Sequence, residues 1–138
     1  KRGVYMKHFT EIELGMKNVS SEIKENMYAL VNNILDPLRE KTGIIIVSSG
    51  YRSESHNKQI GGAKNSQHVK GEAVDIVFKN YDINKAFEYL KKNFTFDQLI
   101  FEDRGGVKWL HISYSRVKNR KQVLLANKVN GKWIYKRD

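Results

Sequence analysis

Apolar positions in the first third of the chain fall at helical spacing. Ile23, Met27, Leu30, Val31, Ile34 and Leu38 recur between about Ser21 and Arg39, the period that lines one stripe of a helix facing a core. Ser20 or Ser21 can cap its start, because a hydroxyl there accepts a free N–H of the first turn. Pro37 lacks an N–H and is predicted to kink or close the helix near its end. After Lys41-Thr42-Gly43, the β-branched run Ile44–Val47 reads as a buried strand. From Ser48 to Gly71 the periodicity gives way to Ser, Gly, Asn and charge, which reads as a long loop of the kind that carries function. Gly71–Phe78 follows as a strand. Asp82 can then cap a short helix with Ile83, Ala86, Phe87 and Leu90 on one face. Asp97–Glu102 and Lys108–Tyr114 are strand candidates joined by a turn containing Gly105-Gly106. Gln122–Val129 and Lys132–Tyr135 flank Asn130-Gly131, a pair suited to a type I′ hairpin. Helices first and hairpin strands later predict an α+β domain, an antiparallel sheet with N-terminal helices.

The 138 residues fit the usual roughly 100–200 per domain, so residues 6–138 are expected to form a single domain. Residues 1–5 are expected to be a remnant ahead of a natural start at Met6. The absence of cysteine excludes disulfides and thiolate ligands, so a zinc ion would need His, Asp or Glu. No apolar run approaches the ~20 residues of a membrane span. No apolar segment follows the basic start to make a signal peptide. A net charge of +10 favours an anionic partner, with nucleic acid and an anionic cell wall or membrane surface both eligible. The basic residues are scattered and form no stacking motif with aromatics, which makes nucleic acid the weaker choice.

Chemistry concentrates in two short runs. Ser66 to Asp75 places His68 and Asp75 around Gly71, and His111 follows in Trp109-Leu110-His111-Ile112-Ser113. Two imidazoles and one carboxylate are a ligand set that leaves zinc an open position, as hydrolysis requires. If Gly71-Glu72 made a two-residue hairpin turn, His68 and Asp75 would oppose one another with Cβ atoms about 4.5–5.5 Å apart. A two-residue turn within Arg104–Gly106 would likewise set Ile100 and Glu102 on the face of Trp109, His111 and Ser113. Glu102 is then the candidate general base, one diagonal step from His111, with Trp109 screening it from water and raising its pKa. Asp103 faces away and becomes the better base only if the turn carries a bulge. Lone histidines are more often structural, so His8 is expected in the N-terminal approach and His56 to hydrogen-bond within its loop.

Several ordered motifs resemble a known family. They are Ser49-Gly50-Tyr51-Arg52-Ser53, His56-Asn57, Gly61-Gly62, Asn65-Ser66-Gln67-His68, Gly71-x-Ala73-x-Asp75 and Trp109–Ser113. Together they resemble the M15 zinc peptidases, which include D-alanyl-D-alanine carboxypeptidases and phage-type peptidoglycan peptidases. His8-Phe9-Thr10-Glu11-Ile12 is similar to the opening of phage-type members, and the likeness runs from about Met6 to Tyr114. It implies a hedgehog/D-Ala-D-Ala carboxypeptidase-like α+β fold with zinc on His68, Asp75 and His111. It also implies that Arg52 contacts the scissile carbonyl or a substrate carboxylate, with Ser66 and Gln67 lining the site. Trp109 is expected among the substrate contacts. The polar loop around Arg52 offers no periodic apolar packing, so Arg52 is expected to serve the reaction and not the fold.

Many relatives carry an acid or histidine two or three positions before the last zinc histidine. Here Trp109 and Lys108 stand there, and the acid ends the preceding strand at Glu102, as in phage-type members. The implied activity is zinc-dependent cleavage of peptidoglycan stem peptides by a monomeric enzyme of phage or bacterial origin. Such an enzyme is made in the cytoplasm and acts at the cell wall. Two other classes compete: a zinc-bearing binding module without catalysis, prompted by Lys108 near the metal, and a nucleic-acid binder, prompted by charge alone.

Overall fold

The computed structural model describes residues 6–138, so the remnant expected at residues 1–5 lies outside the described residues. Ser20 Oγ accepts the Ile23 N–H and starts helix α1 (Ser21–Leu30). The helical path does not close at Pro37. It widens into a π-helical stretch (Val31–Leu35) and resumes as α2 (Asp36–Thr42), with Pro37 in the first turn of α2. A proline ring crowds the carbonyl one turn back and offers no N–H. A π turn ahead of it re-spaces those carbonyls and lets the chain stay helical.

The remaining elements are β1 (Ile45–Ser49), α3 (Glu54–Gln59), β2 (Ala73–Phe78), α4 (Ile83–Asn93), β3 (Gln98–Arg104), β4 (Val107–Ser113), β5 (Gln122–Val129) and β6 (Lys132–Arg137). The six strands form one sheet in the order β1-β2-β4-β3-β5-β6. Every neighbouring pair is antiparallel except β3 and β5, which run parallel from Gln98↔Gln122 to Asp103↔Asn127. The predicted all-antiparallel sheet is therefore mixed at one join, for a topological reason. Strand β4 folds back along β3 and ends beside the start of β3, where Leu99 pairs with Ile112. A strand that begins there, on the free edge of β3, has to run in the direction of β3.

Three local expectations change. Strand β1 is an edge strand buried on one face only: Ile45 packs into the core while Ile46 is 47% exposed. Strand β2 begins at Ala73, not at Gly71. The long polar loop contains helix α3, started by Ser53 Oγ accepting the His56 N–H.

Alternation divides the sheet into two unlike faces. Val74, Ile76, Leu99, Leu110 and Ile112 are buried together with Leu30, Ile34 and Leu38 of the helical segment and Phe87 and Leu90 of α4. The opposite face carries Asp75, Ile100, Glu102, Trp109 and His111, whose Cα register is fixed by the pairs Asp75↔His111, Ile100↔His111 and Glu102↔Trp109. The apolar face anchors the sheet, and the other face is free to hold polar chemistry.

Candidate active site

His68 reaches this polar face by a route the sequence did not indicate. The two-residue hairpin expected at Gly71-Glu72 does not form. Strand β2 already has β1 on one edge and β4 on the other, so no ladder position is left for residues 66–70. These residues coil as successive turns over the sheet, closed by Glu72 N–H to Gln67 O at 2.9 Å and by Arg52 N–H to His68 O at 3.1 Å. Ser66 Oγ accepts the His68 N–H at 3.1 Å, and Gln67 Nε2 donates to Glu72 Oε1 at 3.2 Å. Gly71 lets the coil leave along α1. Its φ is +74°, and a Cβ there would lie 2.8 Å from Ile23 O, so an L side chain would be both strained and obstructed.

The three expected ligands converge nonetheless. Asp75 Oδ1 lies 3.3 Å from His68 Nε2 and 3.2 Å from His111 Nδ1. One donor atom from each residue falls within 4.8 Å of the other two. His68 Nδ1 is 2.9 Å from Gly50 O, and a carbonyl can only accept, so Nδ1 carries the proton and Nε2 presents its lone pair. Gly50 sits tight against Leu14, whose carbonyl oxygen would be 2.4 Å from any Cβ at that position. Burial works against ionisation of Asp75, but the neighbouring imidazoles of His111 and His68 outweigh it and hold the carboxyl well below the usual range. Two imidazole nitrogens and a carboxylate oxygen, once free of protons as metal binding requires, suit a divalent ion.

Arg52 stands beside this cluster. Its Nη2 is 3.6 Å from Asp75 Oδ2, while Nε donates to Ser49 Oγ at 3.2 Å and Nη1 to Asn57 Oδ1 at 3.1 Å. Asn57, on α3, is buried and donates in turn to Ala63 O. The side chain of Arg52 is only 15% exposed, so beyond the role in the reaction expected of it, it also holds the fold. It links β1, α3 and Asp75, and its removal costs structure as well as charge.

Glu102 lies on the same face, directly across from Trp109 and diagonal to His111. Its pKa is raised to about 7. Burial is the main cause and the negative charge of Asp75 adds to it, while His111, Arg52 and the Trp109 indole temper the rise. Trp109 Nε1 is buried and lies near the Glu102 carboxyl, though without full hydrogen-bond geometry. Gly105-Gly106 forms the two-residue turn without a bulge, with Arg104 paired to Val107. Asp103 therefore points to the other face, where its Oδ1 accepts the Gly106 N–H at 2.8 Å. Lys108, paired with Asp103, shares that far face and takes no part in the cleft.

These groups open onto a cleft of about 710 Å³ that also includes Ser66, Gln67 and Gln98. The sequence reading missed one whole wall of it. Lys128 of β5 and Trp133 and Tyr135 of β6 line the cleft, and only the alternation of Trp133 with Tyr135 hinted at a shared face. His8 and His56 stay outside. His8 Nε2 meets Glu40 at 2.6 Å, and His56 is an exposed residue of α3 that gives its backbone N–H to Ser53.

The profile of the family Peptidase M15 matches residues 6–113 and ends before β5. No curated protein matches the chain significantly. No helix among the described residues is long and apolar enough to cross a membrane. The match spans the helices, the coil that carries His68 and the three strands that carry Asp75, Glu102 and His111, and on that extent the chain belongs to the M15 family of peptidases.

Proposed function

We propose that residues 6–138 act as a single zinc peptidase domain that cleaves stem peptides of peptidoglycan, as a D-Ala-D-Ala carboxypeptidase or an endolysin-type endopeptidase. The observation that carries this reading is the convergence of His68, Asp75 and His111 on one point beneath an open cleft. His68 through Nε2, Asp75 through Oδ1 and His111 through Nδ1 would hold the ion. Zinc, when bound, supplies Lewis acidity that polarises a carbonyl oxygen and acidifies water.

The protein's own groups do the rest. Glu102 takes the proton from the attacking water at a carboxylate oxygen and returns it to the leaving amine. Burial raises the pKa of this carboxyl while the ion, when bound, favours its ionised form, so it can both take and return a proton. Asp103 faces the other side of the sheet, which favours Glu102 for this role. Arg52, held by Ser49 and Asn57, directs its guanidinium toward the oxygen that gains negative charge, or toward a substrate carboxylate. Trp109 covers Glu102 and limits water there. Ser66 shapes the His68 turn, and Gln67 contributes an amide to the cleft wall.

With Lys108 on the far face, nothing in the cleft favours a module without catalysis. The basic surface would hold the enzyme on anionic wall polymers, an attraction that salt weakens. The test is incubation of the protein with purified peptidoglycan and with defined muropeptides, with and without chelator, followed by mass spectrometry. Chelator-sensitive release of peptide fragments supports the reading and identifies the bond. No release from any muropeptide in the presence of zinc refutes it.

A further inference from the structure

The part of the cleft that the family match does not reach has a composition of its own. Glu102 of β3 pairs with Ala126 of β5, and Ala126 with Tyr135 of β6. Directly paired residues share a face of the sheet. Arg104 and Lys128, each two positions further along, therefore rise on the same side as Glu102, together with Trp133, the partner of Lys128. Ala126 is small and fully buried, which leaves room for the larger side chains around it to meet.

They meet in a line. The Arg104 guanidinium lies 5.2 Å from the centre of the Trp109 ring. Trp109 and Trp133 contact edge to face at 5.8 Å. Lys128 Nζ lies 5.9 Å from the centre of the Trp133 ring. The order is cation, indole, indole, cation. Neither cation has a carboxylate partner among the described residues, whereas Arg52 and Arg120 in the same cleft are tied to Asp75 and Asp97. A cation resting on an indole is pre-positioned while its charge stays available. The rings meet edge to face and so offer no flat platform for a sugar or a base. What this wall presents is positive charge held against aromatic faces.

We infer that the β5–β6 hairpin completes the cleft as a carboxylate-reading subsite, built by Arg104, Lys128 and the two tryptophans, and that the peptide substrate bears an anionic side chain there. The placement along the substrate rests on the peptidase reading above. On that reading the reacting bond lies at the level of Asp75 and Glu102. Arg104 and Lys128 lie one pleat repeat further along the strands, on the order of 7 Å. An extended peptide advances about 3.5 Å per residue, so the recognised carboxylate belongs about two residues from the bond that breaks. The subsite comes in part from residues beyond the family match, so it selects among peptides and performs no part of the chemistry.

The chain offers its own reporter: Trp109 and Trp133 are its only tryptophans. Metal-free protein is titrated with acetyl-Ala-Glu-Ala-amide and with its neutral counterpart acetyl-Ala-Gln-Ala-amide, and intrinsic tryptophan fluorescence is followed. The glutamate peptide is expected to bind about tenfold more tightly, the scale of one charge-assisted hydrogen bond, with an advantage that shrinks as salt rises. Lys128→Met and Arg104→Gln, both at exposed positions, should each reduce that preference, the double variant should abolish it, and Lys128→Arg should keep it. Equal affinity for the two peptides, no fluorescence response to either, or a preference that survives in the double variant overturns the inference. Hydrolysis of stem peptides at equal rates with carboxylate or carboxamide side chains would overturn it too, while leaving the peptidase reading intact. Carboxylate preference in fluorescence without any peptide release would do the reverse.

Discussion

Replacing Glu102 by Gln separates the chemistry of this residue from its packing. The substitution keeps shape and hydrogen-bonding capacity but removes the ability to take a proton. Because burial and Asp75 carry the carboxyl from an ordinary 4.5 to about 7, the metal-free folded state holds that proton more tightly than the unfolded state does. Stability conferred by the neutral form is thus fully present below about pH 4.5 and is lost as pH rises through about 7. At about 1.4 kcal/mol per pH unit, the ionised form is disfavoured by roughly 3 kcal/mol. Glu102→Gln does not ionise and escapes this loss. Urea denaturation of both proteins in chelator should give near-equal stability at pH 4 and an advantage of up to ~3 kcal/mol for the variant at pH 8. In the zinc-loaded protein the same variant should keep its metal yet lose peptide release by about a hundredfold or more, the range of a removed general base. An advantage that does not grow with pH would refute the buried, charge-raised carboxyl. Full activity would remove Glu102 from the reaction, and loss of metal would make it a ligand.

Protein prepared without chelator should carry close to one zinc per chain by elemental analysis, and His68→Ala or His111→Ala should lose it; retention in either variant contradicts the ligand set. Arg52→Ala should lower turnover by roughly a hundredfold and also destabilise by about 1–3 kcal/mol, because Asn57 and the buried Asp75 lose a charged partner; unchanged turnover would take Arg52 out of the site. Asp103→Asn should change peptide release little, since its side chain only caps the turn at Gly106 on the far face; a loss as deep as that of Glu102→Gln would reverse the assignment. Gly71→Ala should weaken both folding and metal affinity, as a Cβ meets Ile23 and strains the coil that delivers His68; thermal melting with and without zinc measures both.

Periodic signals carried much of the fold in the sequence. The spacing of Ile23, Met27, Leu30 and Ile34 set the first helix, and the Gly105-Gly106 turn fixed which side of β3 and β4 each residue faces. Parity is strict, because side chains alternate with period two and a turn of known length leaves no freedom. That is why the sequence favoured Glu102 over Asp103, with the choice left to whether the turn carried a bulge, which the structure shows it does not. The metal-binding residue types were legible for a similar reason: with no cysteine, few histidines remain and their spacing is distinctive.

Other features depend on what is adjacent in space, and no local pattern encodes that. The approach of His68 to Asp75 looked like a hairpin because each residue flanks a glycine, yet both edges of β2 were taken by strands far away in the chain. Arg52 read as serving the reaction and not the fold because its partners Asn57 and Asp75 are brought to it only when α3 folds against the sheet. The wall of Lys128, Trp133 and Tyr135 needed the parallel join of β5 to β3, a choice of sheet edge that has no signature in either strand. Sequence determined the elements, their faces and the inventory of reactive groups, since these follow from spacing and local stereochemistry. Tertiary structure decided which groups meet, because strand order and the burial around each charge arise only when the whole sheet closes over its core.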